Sequence, residues 1–276
     1  MPSSFLQEST KFLNHLFPHN KRIGSTSIYQ ITENIFIQLI SINNTVNFDN
    51  KEFEHLANEY DTVNQQIIHL WEDLWHSHQD IIKSRLTSVA GITNKIHGRK
   101  TKVVRIHQEQ FYDFLNKNHL QGAVHAKYKL GLFEKDKLVA VAGFSHPRKI
   151  PRDGEISRSS ELIRFCNLTH HTVIGGMDKL LKHFTSNFEV DDIMSYADRD
   201  WSNGKSYKRL GFDFIERTAP TTFWVNLKNN QRYFEHHLAK QFGLEEQQLT
   251  QYLKQNDYLR IANSGNLKFI KPVPIT

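Results

Sequence analysis

Alternation of apolar and polar residues in the first third of the chain predicts a small α/β lobe. Residues 26–42, TSIYQITENIFIQLISI, alternate with a period of two, which predicts two strands joined around Thr32-Glu33-Asn34. The run QIIHLW at 66–71 predicts a short buried strand. Stripes of apolar residues at helical spacing flank it: Phe53, Leu56 and Tyr60 on one side, and Ile81, Ile82 and Leu86 on the other.

The middle of the chain predicts a sheet with helices packed on it. EQFYDFLNKNH has the spacing of an amphipathic helix, and KLGLFEKDKLVAVAGFS predicts a hairpin that turns at Lys135-Asp136-Lys137. The strands ELIRFCNL and DDIMSYA flank a helix that opens at Gly175-Gly176. A short helix in WSNGKSYKRLGF stops at Gly211. FDFIER and TTFWVNL are predicted as closing strands, and the tail 230–276 has two helical stretches around Gly243.

Composition narrows the class of protein. The chain has 276 residues, 38% of them hydrophobic, with a net charge of +6. A basic chain favours a polyanionic partner, most often nucleic acid. Cys166 is the only cysteine, which excludes an internal disulfide and suits a reducing compartment. Because no apolar run reaches the roughly 18–20 residues that span a bilayer, we expect a soluble cytoplasmic protein with no membrane partner.

The order of elements from about 101 to 227 resembles the GNAT acyltransferase fold, and Tyr207-Lys208-Arg209-Leu210-Gly211-Phe212 matches the Tyr-x-x-Leu-Gly-Phe element of that family. The resemblance implies that acetyl-CoA or another acyl-CoA is bound and that Tyr207 protonates the departing thiolate. It also implies that a loop before the central helix offers its amides to the pyrophosphate; its candidates are Thr172, Val173, Gly175 and Gly176. The chain departs from the family pattern at Met177, where a small residue is usual, and at Asp200, where an asparagine is usual.

A second resemblance covers most of the chain. The segments LIRFC, VIGG, SYADRDWSNGKSYKRLGF and RIANSGNLKF, with NHLQG and IIHLWEDLW, resemble in the same order the C-terminal region of phage Hef-like homing endonucleases. That family implies a Vsr-like or PD-(D/E)XK nuclease lobe, whose two acids hold a divalent ion. Ser27 and Gln38 occupy those two positions here. We therefore expect a degenerate nuclease lobe without nuclease activity and without a metal ion.

Polar and aromatic residues follow the predicted strand IMSYA directly, at Asp198, Arg199 and Trp201. Ligands commonly bind at strand ends in open sheets, which makes all three candidates for substrate contact. In the alternative interpretation Asp198 caps the next helix and Trp201 packs against Phe212. A Ser-Tyr-Ala-Asp stretch similar to that of the Mom DNA-modification proteins of phage Mu favours a functional Asp198, as a base or a substrate anchor.

Three further polar residues are candidates, two at the end of a predicted helix and one on a predicted strand. His119 and Gln121 end the first helix of the GNAT-like region, which in such folds lines the acceptor cleft, so His119 is a candidate base. The alternative is that His119 only interacts with the helix dipole. Arg164 lies in the middle of an apolar strand and needs a partner, which is either Glu161 or Asp198 or a bound phosphate.

A basic segment lies at 94–107, and a second basic loop follows near Arg148. Arg99, Lys100 and Arg148 are candidates for phosphate contact with DNA, and the alternative is a solvated linker that holds one strand. The predicted domains are a nuclease-like lobe at 1–93, a GNAT-like domain at 94–228 and a helical extension at 229–276. The favoured hypothesis is an acyl-CoA-dependent transferase that acts on or beside nucleic acid. Its rival is a non-catalytic DNA-binding protein derived from a mobile homing endonuclease.

Overall fold

The computed structural model describes residues 4–42, 51–152 and 154–274 of the chain. In chain order the elements are α1 (Ser4–Leu16), β1 (Lys21–Arg22), β2 (Ile28–Thr32), β3 (Ile35–Ile40), α2 (Glu52–Thr62), β4 (Gln66–Trp71), α3 (Glu72–Ser77), α4 (Gln79–Val89), β5 (Asn94–His97), β6 (Lys102–Arg105), α5 (Gln108–Asn118), β7 (Tyr128–Glu134), β8 (Lys137–Phe144), β9 (Arg148–Arg152), β10 (Glu155–Asn167), β11 (His171–Ile174), α6 (Gly176–Asn187), β12 (Asp192–Asp198), α7 (Lys205–Arg209), β13 (Asp213–Arg217), β14 (Thr222–Asn226), β15 (Gln231–Tyr233), α8 (Glu235–Phe242), α9 (Glu246–Gln255), β16 (Tyr258–Ala262) and β17 (Asn266–Pro272).

The chain divides into two compact units. The first unit comprises Met1–Gln79, Ala197–Asn203 and Arg217–Leu267, and the second comprises Asp80–Tyr196, Gly204–Glu216 and Lys268–Thr276. This division differs from the predicted domains at 1–93, 94–228 and 229–276. Most of the predicted C-terminal extension clusters with the N-terminal residues, because its strands and helices pack there.

The first unit contains two small sheets. The first has the strand order β1-β2-β3-β4, with β2 antiparallel to β3 and β3 parallel to β4, which confirms the three strands predicted before residue 72. The second has the order β15-β14-β16. A buried cluster joins residues that are distant in the chain: Ile40, Ile42, Phe53, Trp71, Val225 and Ile261. The helices α8 and α9 on either side of Gly243 confirm the predicted helical tail.

The second unit is built on a mixed sheet with the strand order β13-β17-β12-β10-β8-β7-β6. The strands β6, β7, β8 and β10 pair antiparallel, and β10 then pairs parallel with β12 across the crossing helix α6. This is the strand and helix order that the GNAT resemblance implies. The predicted fold class, a mixed α/β protein with a GNAT-like sheet domain, is confirmed.

The strand that closes this sheet is not the predicted one. TTFWVNL was expected to close the GNAT-like domain, but it forms β14 and pairs with β15 and β16. The strand that lies between β13 and β12 is β17, at Asn266–Pro272. Both stretches have strand-like patterns, and local periodicity does not say which sheet a strand joins. Trp224 and Val225 are fully buried in the first unit, which fixes β14 there.

No helix formed by the described residues is long and apolar enough to cross a membrane. The predicted helix in WSNGKSYKRLGF is shorter than expected, because α7 covers only Lys205–Arg209. Gly204 and Gly211 flank it at φ angles of +75° and +78°, in the left-handed region that glycine tolerates.

Candidate active site

The two central parallel strands of the larger sheet pair over only part of their length. Ladder partners run from Ser159↔Asp192 to Leu162↔Ser195, although β10 continues to Asn167. At the same point the pairing of β10 with β8 shifts register between Leu162 and Arg164. A bulge of this kind bends the strand that carries it. The ladder between β10 and β12 therefore opens beyond Leu162, and we call this opening the sheet split.

Tyr207 lies at the start of the sheet split. Its hydroxyl is 3.2 Å from the Ser195 Oγ, which also donates to the carbonyl of Leu162 at 3.0 Å. The ring stacks on Phe269 with a centroid distance of 5.1 Å and meets Phe212 edge-on at 5.3 Å. Leu162 and Ser195 are the last ladder pair, so the phenol is held where the two strands begin to separate.

The environment of Tyr207 keeps its hydroxyl protonated. Burial raises the pKa of the phenol, and this outweighs the opposing effects of the Ser195 hydrogen bond and the positive charges of Arg164 and Arg85. The pKa therefore lies above its ordinary value of about 10. A phenol in this state can donate a proton at neutral pH, and the family resemblance implies that role for Tyr207.

The segment predicted to bind pyrophosphate leads into α6. Val173 and Gly176 are buried, and a Cβ added to Gly176 would lie 2.9 Å from the Val173 side chain. Gly175 differs, because it is exposed, has a φ of +72°, and would bring an added Cβ within 4 Å of nothing. The first amides of a helix have no acceptor within the helix. The start of α6 is therefore open on the side of Gly175, and Met177 is half-buried on the first turn.

A basic turn is held beside the start of α6. β5 pairs parallel with β11, and the Thr172 and Thr93 hydroxyls are 2.8 Å apart. In the 3-10 turn at Gly98–Lys100, the carbonyl of Gly98 accepts a bond of 3.0 Å from Lys179 Nζ, which also donates to the carbonyl of Thr101. Arg99 and Lys100 are exposed on this turn. The segment is therefore folded against α6 and holds the two strands β5 and β6, and its contact with phosphate stays a prediction.

His119 lies at the end of α5, as predicted, but its environment does not suit a base. Its Nδ1 accepts the backbone N–H of Gln121 at 3.1 Å. Burial lowers the pKa of His119 to about 3, with added contributions from the positive charges of Arg164 and Arg85. General bases work best when their pKa lies near the working pH. His119 is neutral and only weakly basic, and Gln121 is exposed beside it.

Glu161 is a candidate that the sequence analysis treated only as a partner for Arg164. It lies on β10 opposite Met194, one residue before the last ladder pair at the sheet split. Burial raises the pKa of its carboxyl group, and the positive charges of Arg148 and Arg164 oppose that shift. The sequence shows only a glutamate at the start of the strand ELIRFCNL, and its half-burial beside the sheet split follows from packing. Arg148 itself is exposed on β9.

Arg199 and Trp201 are buried, so the prediction that they contact a substrate is wrong. Arg199 is 4% exposed and Trp201 7% exposed. The Arg199 guanidinium donates to Asp61 Oδ2 at 2.9 Å, to Asn58 Oδ1 at 2.9 Å and to the carbonyl of Ser264 at 3.3 Å. The Arg199 guanidinium is therefore bound by partners within the first unit.

The two aspartates of the same stretch also make structural contacts. Asp198 is half-buried, and its Oδ1 accepts the backbone N–H of Asp200 at 3.0 Å, which is close to the capping role of the alternative interpretation. Asp200 accepts bonds from Trp71 Nε1 at 3.0 Å and from the Ser264 amide at 2.9 Å. Burial raises the pKa of Asp200, but His69, the Ser264 amide and Arg232 together outweigh burial and lower it. Asp198, Arg199 and Asp200 thus make these contacts within the first unit.

Of the two predicted nuclease positions, Gln38 lies on β3, and Ser27 immediately precedes β2. Gln38 on β3 is the ladder partner of Ile28, and the Ser27 carbonyl accepts the amide of Leu39 at 2.9 Å. Among residues 4–42, 51–152 and 154–274, no group of three His, Cys, Asp or Glu side chains is placed to hold a metal ion. The loss of nuclease activity stays a prediction. Cys166 is buried, and burial raises the pKa of its thiol to about 12, so it is not a nucleophile at neutral pH.

No protein-family model matches the chain, and no curated protein sequence matches it. Solved structures of acetyltransferases do match. Naa50 of Arabidopsis thaliana, solved with the bisubstrate analogue CoA-Ac-MVNAL, is 13% identical with a TM-score of 0.38, and the match covers 63% of this chain and 99% of Naa50. The ribosomal-protein-S18-alanine N-acetyltransferase of Escherichia coli is 12% identical with a TM-score of 0.37, over 64% of this chain and 96% of that one. A GNAT family acetyltransferase of Elizabethkingia anophelis, solved with acetyl-CoA bound, is 9% identical with a TM-score of 0.34, over 63% of this chain and 99% of that one.

Proposed function

We propose that the second unit is an acyl-CoA-dependent N-acyltransferase with its reaction centre at the sheet split. The observation that carries this proposal is the position of Tyr207, whose protonated hydroxyl lies at the last ladder pair between β10 and β12. A strand that leaves its ladder can bind a ligand in extended form through its backbone. The pantetheine arm of the coenzyme lies along β10 beyond Leu162, with its thioester near Tyr207.

The proposed reaction is direct transfer from thioester to amine. The acceptor nitrogen attacks the thioester carbonyl, and an amide of β10 beyond the bulge stabilises the oxyanion. The carbon–sulfur bond then breaks, and the thiolate takes the proton of Tyr207. The attacking amine gives up one proton to Glu161, which replaces His119 and Asp198 as the proposed base. Gly175 and the first amides of α6 bind the pyrophosphate of the coenzyme.

Acetyl-CoA is expected to stabilise the protein. At 100 times its dissociation constant a ligand of the folded state adds about 2.7 kcal/mol to the free energy of unfolding. A thermal melt with and without acetyl-CoA measures this gain as a rise in the melting temperature. Gly175→Val is expected to abolish the rise, because the new side chain occupies the open space at the start of α6.

Gly91→Val is the matched control for this experiment. Gly91 has a φ of +75°, and an added Cβ there also meets nothing within 4 Å. Its backbone strain is therefore like that of Gly175→Val, but it lies in the turn after α4. The control should keep the acetyl-CoA response. A wild-type protein whose melting temperature does not move in millimolar acetyl-CoA contradicts the proposal.

Glu161→Gln is expected to lower kcat/KM by about 10²-fold, because a general base contributes on that order. The base acts in its deprotonated form, so the wild-type rate falls as pH is lowered through the pKa of Glu161. Burial raises that pKa above the usual value of about 4.3 for a glutamate, which places the fall at a pH above that value. The glutamine variant should lose this fall. A pH profile that is the same in both proteins rules Glu161 out as the base.

We also propose that the acceptor lies on or beside nucleic acid, most simply DNA. The supporting observation is the row of exposed cations from β5 to β6, at Lys95, Arg99, Lys100, Lys102 and Arg105. Exposed charges that neutralise phosphates release counterions, which makes binding depend on salt. A protein that binds DNA but not acetyl-CoA would instead be the non-catalytic DNA-binding protein of the rival hypothesis.

The double variant Arg99→Ala, Lys100→Ala is expected to reduce the slope of log affinity against log salt by about 1 to 2 units. Fluorescence anisotropy with a labelled duplex at several salt concentrations measures that slope. Lys135→Ala, Lys137→Ala removes the same charge from the hairpin turn between β7 and β8 and serves as the control. If all three proteins give equal slopes, Arg99 and Lys100 do not contact DNA phosphates and belong to a solvated surface.

A further inference from the structure

The strand β13 forms the outer edge of the larger sheet. Among the described strands its one neighbour is β17. All five of its residues, Asp213–Arg217, are exposed. Two of these are large apolar residues, Phe214 at 41% exposure and Ile215 at 47%. An exposed edge strand can add a strand of another chain to its sheet.

The sequence Asp-Phe-Ile-Glu-Arg is complementary to itself in the antiparallel direction. A two-fold axis through Ile215 places Asp213 opposite Arg217 twice and Ile215 opposite its own copy. Side chains alternate between faces, so these three residues share one face, while Phe214 and Glu216 share the other. Opposite charges directly across an antiparallel pair attract, and apolar pairs add contact area.

The contacts that β13 makes within its own chain do not oppose this pairing. Glu216 is neutralised within its own chain by Lys268, with Lys268 Nζ 2.7 Å from Glu216 Oε1. Phe214 packs against Phe269 with a centroid distance of 5.9 Å and still leaves much of its ring exposed. Arg217 forms an ion pair with Asp61, with 3.4 Å between Nη2 and Oδ2, and its side chain is 47% exposed.

We propose that β13 is a homodimer interface, at which a second copy of this chain pairs antiparallel through Asp213–Arg217. The pairing is isologous, because the same strand contributes on both sides of a two-fold axis. It joins the two larger sheets into one continuous sheet and covers Ile215 of both copies. The inference is independent of the acyltransferase reaction and of DNA binding.

Charge exchange tests this proposal sharply. Asp213→Arg alone places two arginines opposite each other, and Arg217→Asp alone places two aspartates opposite each other. Each variant by itself should therefore dimerise at least about tenfold more weakly than the wild type. When the two variants are mixed, the introduced arginine of one chain faces the introduced aspartate of the other, and the unchanged Asp213 and Arg217 face each other. A heterodimer of wild-type affinity should therefore form.

Sedimentation equilibrium over micromolar to submillimolar protein measures the association constants, and differential labelling identifies the heterodimer. Asp136→Arg makes the same charge change in an exposed turn and should leave the association unchanged. A heterodimer can form on mixing only if both variants are folded. Its formation therefore shows that each single variant lost strand pairing and did not unfold. A wild-type protein that is monomeric throughout this range overturns the proposal, as does a mixture that stays monomeric or an Asp213→Arg variant that dimerises normally.

Discussion

Replacing Tyr207 with phenylalanine is expected to slow acyl transfer by about 10²–10⁴-fold, the usual contribution of a positioned proton donor. The change removes only the hydroxyl, and the stacking on Phe269 and the edge contact with Phe212 remain available to the new ring. Acetyl-CoA should still raise the melting temperature, because little contact area is lost. Steady-state kinetics with a free-thiol assay, together with thermal melts, measure both quantities.

Ser195→Ala is the control for this result. It removes the hydroxyl that lies 3.2 Å from Tyr207 but leaves the phenol itself in place. A much smaller loss of rate is expected, because the proton donor is retained. If Tyr207→Phe transfers acyl groups at the wild-type rate, Tyr207 is not the acid. If both variants lose activity equally and melt lower, the residue holds the strands together and does not donate the proton.

Asp73→Ala is expected to lower the free energy of unfolding by about 3–5 kcal/mol, because it leaves a largely buried cation without its partner. Asp73 is fully buried and accepts Arg232 Nε at 2.5 Å and Arg232 Nη2 at 3.0 Å. The Arg232 side chain is 16% exposed, and its guanidinium lies 5.3 Å from the centroid of Trp71. Urea denaturation of the wild type and the variant measures the difference.

A double-mutant cycle with Arg232→Met isolates the pair. Arg232→Met alone leaves Asp73 buried without its counter-ion and should also be destabilising. The double variant should be more stable than the sum of the two single effects predicts, because neither charge is then left alone. Additive effects would mean that Asp73 and Arg232 stabilise the first unit through separate contacts. Thermal melts of Asp136→Ala, at an exposed turn, show the effect of losing a carboxylate that is not paired in this way.

Local patterns in the sequence predicted most elements correctly. The period-two stretch at 26–42 forms β2 and β3, the hairpin turns at Lys135-Asp136, and the helix after Gly175 is α6. The family resemblance drew attention to Tyr207, and its role as the acid stays a prediction. These predictions depend on a few neighbouring residues, because periodicity, turn chemistry and a short family-like element are all encoded within about ten positions.

The tertiary structure decided the features that depend on distant residues. Asp73 meets Arg232 across 159 positions, and Arg199 meets Asp61 across 138, so neither pair has a local signal. For the same reason the sequence assigned Arg199 and Trp201 to a substrate, where the structure buries both. The choice of β17 over β14 as the closing strand, the break in pairing after Leu162 and the raised pKa of Glu161 also follow from packing. Which strand joins which sheet, and which charge is buried, is set by the surfaces that meet in the folded chain, and these surfaces are built from segments far apart in sequence.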